Sequence, residues 1–131
     1  MASDSSLFPD HVPIVLLKAD DEHRRSEIAI VATRDHELIR RWAVRHQAEP
    51  ATGELTASGK ATVAVNDGGA GIRFNFPASG RFRPITWDEW FDNFETHDLV
   101  FVYERDAPGH SPNYRYRLAK LDALKSGPML V

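Results

Sequence analysis

The sequence predicts an α+β fold: a single small domain with a mostly antiparallel sheet built from hairpins and two helices packed on one face. Three observations predict it. Two stretches, about 34–48 and 86–96, repeat their apolar residues at helical spacing. Several short runs either alternate or are rich in β-branched residues, among them Gly71-Ile72-Arg73-Phe74-Asn75-Phe76 and Leu99-Val100-Phe101-Val102-Tyr103. Between two such runs stands Asn66-Asp67-Gly68-Gly69, residues that tolerate the positive φ a hairpin turn requires.

Residues 1–11 are polar and read as a loose N-terminal tail, residues 12–121 as the domain, and residues 122–131, with weak signals, as a C-terminal tail. Pro13-Ile14-Val15-Leu16-Leu17 and Ile28-Ala29-Ile30-Val31 are strand-length apolar runs on either side of a charged stretch, Lys18 to Arg25. They are expected to pair as a hairpin, with a helix over 18–31 as the competing reading. The helix at 34–48 has Thr33 or Asp35 to cap it and Glu37 to complement its dipole. Its inward side carries Asp35, Leu38, Ile39, Trp42, Ala43 and His46; Glu37, Arg40, Arg41 and Val44 lie opposite, and Pro50 is expected to stop it.

Lys60–Val65 and Gly71–Phe76 are expected to form a hairpin about the Asn66–Gly69 turn. Thr86-Trp87-Asp88-Glu89 is a capping-box sequence, with Ile85 and Trp90 placed as a hydrophobic staple. Trp87, Trp90, Phe91 and Phe94 make one aromatic face of the helix that follows, which should end near His97. Leu99–Tyr103 reads as a buried strand. Tyr114–Leu118 reads as its return, with the tyrosines and leucine inward and the arginines outward.

Composition excludes several function classes. A chain of 131 residues with 42% hydrophobic content fits one folded domain and is too apolar for a disordered chain. With no cysteine, disulfides, thiol nucleophiles and thiolate metal sites are excluded. No apolar run approaches the roughly 20 residues that span a bilayer. The opening MASDSSLFPD carries acids and no basic stretch ahead of an apolar run, so the expected location is cytoplasmic. The net charge of −3 gives no general attraction to polyanions or membranes.

The candidate chemistry is sparse. Asp88, Asp92 and Glu95 share a helix face, where acids at the first turns complement the dipole and need no catalytic role. The six histidines lack metal-ligand spacing, and Asp35-His36-Glu37 diverges around its helix; no metal and no cofactor is expected. Gly68-Gly69-Ala70-Gly71 opens into a strand rather than a helix, so it cannot cradle phosphate on a helix dipole. What stands out is arginine, twelve against four lysines, a skew toward the planar bidentate donor. Arg34, Arg40, Arg41 and Arg45 crowd one helix. Arg73, Arg81, Arg83, Arg115 and Arg117 fall at outward strand or loop positions.

Four segments, DHELIRRWAVRHQAEPA (35–51), GIRFNFP (71–77), ITWDEWFDNFETHDLVFVY (85–103) and NYRYRLAK (113–120), carry a resemblance to a family of small uncharacterised bacterial proteins. That family repeats an Asp-His-x-x-Ile-Arg-x-Trp-Ala helix and an Ile-Ser-Trp-acid-acid-Phe-Phe helix start. The resemblance covers about residues 33–120, and residues 1–32 read as an extension. Asn75 stands where the family strand often has an acid, and Thr86 replaces the usual serine. Some members carry a glucan-branching label, but branching enzymes resemble large barrels with a carboxylate triad, which nothing here matches. The resemblance implies no catalytic role for any residue.

The expected function is therefore a non-enzymatic protein-binding or adaptor module in which Arg40, Arg41, Arg45, Arg73, Arg81 and Arg83 form the contact surface. The alternative is a nucleic-acid-associated accessory protein that sets the same arginines on phosphate. Another protein is the expected partner, with nucleic acid bound weakly and no membrane.

Overall fold

The computed structural model describes residues 13–55, 71–77, 82–106, 109, 115–126 and 129–130. Along the chain run β1 (Pro13–Leu16), a 3-10 turn (Ala19–Asp21), β2 (Ile30–Thr33), α1 (His36–Arg45), β3 (Glu49–Leu55), β4 (Ile72–Asn75) and β5 (Phe82–Pro84). Then follow α2 (Trp87–Thr96), β6 (Leu99–Glu104), β7 (Tyr116–Lys120), α3 (Leu121–Ser126) and β8 (Met129–Leu130). The class is α+β. A five-stranded sheet has the order β7-β6-β2-β1-β8, and a three-stranded antiparallel sheet has the order β4-β3-β5.

β1 and β2 are not a hairpin. They pair in parallel, Ile14 opposite Ile30 and Leu16 opposite Ala32, and β8 joins β1 in parallel on the other side. Parallel neighbours need a crossover of about a dozen residues, and residues 17–29 supply it. Leu17 and Ile28 anchor that crossover in the core. Its single 3-10 turn replaces the helix considered for 18–31. The unbroken apolar character of the second run is the mark of a strand covered on both faces, since all four residues of β2 are buried, whereas Leu16 at the end of β1 is exposed.

The two faces of the large sheet separate cleanly. Val15, Val31, Leu99, Phe101, Tyr103 and Leu118 point into the main core, where they meet Leu38, Ile39, Trp42 and Ala43 of α1 and Trp90, Phe91 and Phe94 of α2. Ile72 and Phe74 of the small sheet close that core. Ile14, Ile30, Ala32, Val100 and Val102 form the other face, and Leu124 of α3 packs against it. Both expected helices thus lie on one face, as read, and a third covers the opposite one. The segment expected as a C-terminal tail carries α3 and β8 and belongs to the fold.

Both helix ends differ from a simple proline stop. Asp35 caps α1, its Oδ1 accepting the Glu37 amide at 2.9 Å. At the other end Gln47 takes a left-handed φ of 56°. Its amide donates to the Val44 carbonyl (3.2 Å) and the Ala48 amide donates to the Ala43 carbonyl (2.8 Å). That is a Schellman ending with glutamine in the glycine position. It ends α1 at Arg45, and Pro50 lies beyond it in β3, opposite Phe74. Asp98, with φ 52°, ends α2 in the same left-handed way. Thr86 Oγ1 accepts the Glu89 amide at 3.1 Å, the threonine half of the capping box.

The expected strand at 60–65 and its turn lie outside the described residues, as does the tail 1–11. Within them β4 pairs with β3, Glu49 opposite Asn75. β6 and β7 form the expected antiparallel pair, Phe101 opposite Leu118. Two side chains tie the small sheet to the core: Trp90 Nε1 donates to the Arg73 carbonyl (2.9 Å) and the Phe74 amide donates to the Tyr116 hydroxyl oxygen (3.1 Å).

Candidate functional site

Helices α1 and α2 meet along a seam where spacing of i, i+4 on each helix matches the other. His36 stacks on Phe91, and four residues on, the Arg40 guanidinium lies over the Trp87 ring, 5.7 Å from its centroid. Trp87 is itself stacked on Phe91 at 5.1 Å. The result is a ladder of side chains from the two helices, buried at Phe91 and open to solvent at Arg40. At its other end Glu95 accepts from Arg34 (3.0 Å) and lies 2.7 Å from His36 Nε2.

Beyond the seam is the solvent face of α1. Glu37, Arg40, Arg41, Val44 and Arg45 line an open concavity of about 560 Å3. Val44 is 77% exposed there. Arg41 and Arg45 are held by one carboxylate, Glu22 of the crossover, each at 3.1 Å and each on a different oxygen. Arg41 also reaches Glu37 (3.3 Å) and the Ala19 carbonyl (3.1 Å), and the Glu22 contact pushes its pKa further up. The Glu22 side chain is only 14% exposed, so this pair is more than a screened surface contact.

Of the six arginines expected as a contact surface, the structure brings Arg40, Arg41 and Arg45 together. Arg73 does not join them: it is 8% exposed, and its Nη1 donates to the Ile72 carbonyl at 2.9 Å. All four residues of β4 are buried, so the strand has no solvent face for an outward arginine. Arg83 is exposed on β5 opposite Thr52 of β3, and Arg81 lies outside the described residues. Arg115 is exposed and pairs with Glu104 at 3.2 Å, and Arg117 is half-buried. Arg34 serves the fold, donating to the Leu99 carbonyl at 2.9 Å.

Sequence reasoning missed Glu22 and Trp87. Glu22 sits in the charged stretch that read as the connection of a hairpin, and only the parallel crossover lays it across α1. Trp87 read only as part of the aromatic face of its helix, and the structure shows it half-buried with its ring under Arg40.

The pair nearest to catalytic chemistry is buried His46 with exposed Asp106. His46 is 1% exposed and stacks on Trp42 at 4.4 Å. Its Nδ1 faces the Trp42 carbonyl at 2.7 Å and its Nε2 faces Asp106 Oδ1 at 3.2 Å. Both nitrogens face acceptors and the ring is covered, an arrangement that ties the end of α1 to the chain after β6. Trp42 Nε1 is buried with no hydrogen-bond partner among the described residues. The rings of Phe101 (5.1 Å, T-shaped) and Tyr116 (5.6 Å, tilted) pack against that indole. Asp88 and Asp92 are exposed on α2 and, like Glu95, stand where the helix turns them outward. Among the described residues no three histidine or acidic side chains group to hold a metal. No described helix is long and apolar enough to cross a membrane.

Comparison with protein-family models, with curated proteins and with solved structures finds no match to this chain.

Proposed function

We propose that this chain is a non-enzymatic protein-binding or adaptor module that docks through the solvent face of α1. The observation that carries this reading is Val44, 77% exposed on a concave surface that it lines together with Arg40, Arg41 and Arg45. An exposed apolar side chain among arginines, with the Trp87 ring against Arg40, is the composition at which interface energy concentrates. Arg41 and Arg45 are also pre-ordered by Glu22, so less side-chain freedom is lost when a partner covers them.

The alternative, an accessory protein on nucleic acid, is favoured by the same three arginines lying on one face. Against it, Glu22 and Glu37 already neutralise much of that face, and the chain carries a net charge of −3. Phosphate binding gains its strength from several uncompensated cations releasing counterions.

The test is affinity capture followed by calorimetry with the purified partner. Val44→Glu should weaken binding by about tenfold or more while the melting temperature stays within a degree or two of the parent, because that side chain touches solvent. Binding unchanged in both Val44→Glu and Arg40→Glu overturns the docking face. In parallel, anisotropy titrations with a short duplex and a single strand should give micromolar or weaker, non-specific affinity at about 0.15 M salt. Sub-micromolar affinity lost on replacing Arg40, Arg41 and Arg45 together promotes the alternative.

A further inference from the structure

Arg40 differs from every other arginine of the α1 face. Arg41 and Arg45 have their carboxylates in Glu22 and Glu37. Among the described residues no acceptor takes a hydrogen bond from Arg40; its contact is the Trp87 ring. That ring is fixed in turn by stacking on Phe91 and by an edge contact with Trp90 at 5.7 Å. The ring thus places the guanidinium with none of its five N–H donors taken up among the described residues.

We propose that Arg40 is the anchor for an acidic side chain of a partner protein, an aspartate or glutamate whose apolar neighbour seats on Val44. The inference rests on the docking reading of this face and names the chemistry of what docks. Three observations carry it. The face already binds a carboxylate, since Glu22 places one oxygen on each of two guanidiniums at 3.1 Å, and Arg40 has the same donor chemistry with no carboxylate. Arg40 and Val44 are one helical turn apart, about 5–6 Å between Cβ atoms, so adjacent acidic and apolar side chains of one segment span them. Glu37, exposed on the same concavity, repels a phosphodiester chain with many charges more than one carboxylate that can turn away from it.

The experiment is heteronuclear NMR on the whole chain, titrated with an acetylated and amidated Leu-Glu-Leu-Asp peptide and with its neutral counterpart Leu-Gln-Leu-Asn. The acidic peptide should shift the Arg40 side-chain Nε–Hε and Val44 methyl signals saturably, with about threefold or greater preference over the neutral one. Arg40→Gln should remove the preference, and Arg83→Gln, on β5, should leave it. Equal binding of both peptides at Val44 overturns the acid anchor and leaves the docking face standing. No shift with either peptide also overturns the anchor. A short DNA duplex that shifts Arg40 more strongly than the acidic peptide overturns both the anchor and the protein-docking reading.

Discussion

The imidazole of His36 lies face to face with the ring of Phe91, 3.9 Å between centroids and 7° between planes. Neither residue is a neighbour of the other in sequence, yet this contact sets the register of α1 against α2. Once His36 stands on Phe91, the next turn of each helix brings Arg40 over Trp87, and the preceding strand end brings Arg34 to Glu95. The ladder links a buried core to the exposed guanidinium proposed as an anchor.

The stacked rings, rather than the polar clasp, should hold this seam. Phe91→Leu keeps most of the apolar volume and removes both stacks, at a cost of about 1–2 kcal/mol. Glu95→Gln touches exposed pairs and should stay within about 0.5–1 kcal/mol of the parent. Urea denaturation of the two variants checks the order, and a larger loss for Glu95→Gln shows the clasp to be the main tie.

Trp90 is the centre of the α2 contribution to the core. It is fully buried, stacked on Phe74 at 4.9 Å and on Phe94 at 5.5 Å, and its indole N–H serves the Arg73 carbonyl. Trp90→Ala should cost about 3–5 kcal/mol, and Thr86→Ala, which removes one cap bond, about 1 kcal/mol. Similar small losses in thermal melts of both variants contradict the core position of Trp90.

Asp35 joins two elements through one carboxylate: Oδ2 accepts the Ala19 amide at 2.8 Å and Oδ1 the Glu37 amide. The Ala19 bond, aided by that of Glu37, holds its pKa below the usual carboxylate range. A group with a depressed folded pKa contributes stability above its unfolded pKa and loses it as pH falls through the folded value. Asp35→Ala should therefore cost about 1–2 kcal/mol near neutrality. The gap to the parent should narrow below about pH 4, the ordinary aspartate range. Denaturation midpoints of both proteins across that range give the comparison, and a gap that widens on acidification contradicts the assignment.

Tyr103 gives the opposite, alkaline dependence. Burial, reinforced by the Glu22 charge, pushes its phenol from the ordinary 10.0 up to about 12. Keeping the phenol neutral favours the folded state, so its contribution is complete below pH 10 and is lost as pH rises toward about 12. Tyr103→Phe keeps the ring and lacks the proton, so the variant should lose less stability than the parent across that window. Matched urea titrations at mildly and strongly alkaline pH measure the difference; parallel losses place Tyr103 in solvent.

What the sequence by itself determined was local. The Thr86 cap, a cap of α1 at Thr33 or Asp35, the inward stripe of Leu38, Ile39, Trp42 and Ala43, the aromatic side of α2 and the buried run Leu99–Tyr103 each follow from residues within a turn or a strand length of one another. The exposed trio Arg40, Arg41 and Arg45 was legible for the same reason, since helical spacing alone places Arg40 and Arg41 opposite that stripe and Arg45 at its flank. The tertiary structure decided everything that depended on distant partners. Alternation in Gly71–Phe76 could not reveal that β4 is covered on both sides and withdraws Arg73. Two apolar runs could not show whether their strands pair in parallel, because direction is set by where the crossover buries Leu17 and Ile28. Glu22 met Arg41 and Arg45 only through that crossover, and Trp87 met Arg40 only through the stacking of α2 on α1. Side-chain periodicity is a property of one element, whereas charge pairing and burial are properties of the surfaces that two elements share.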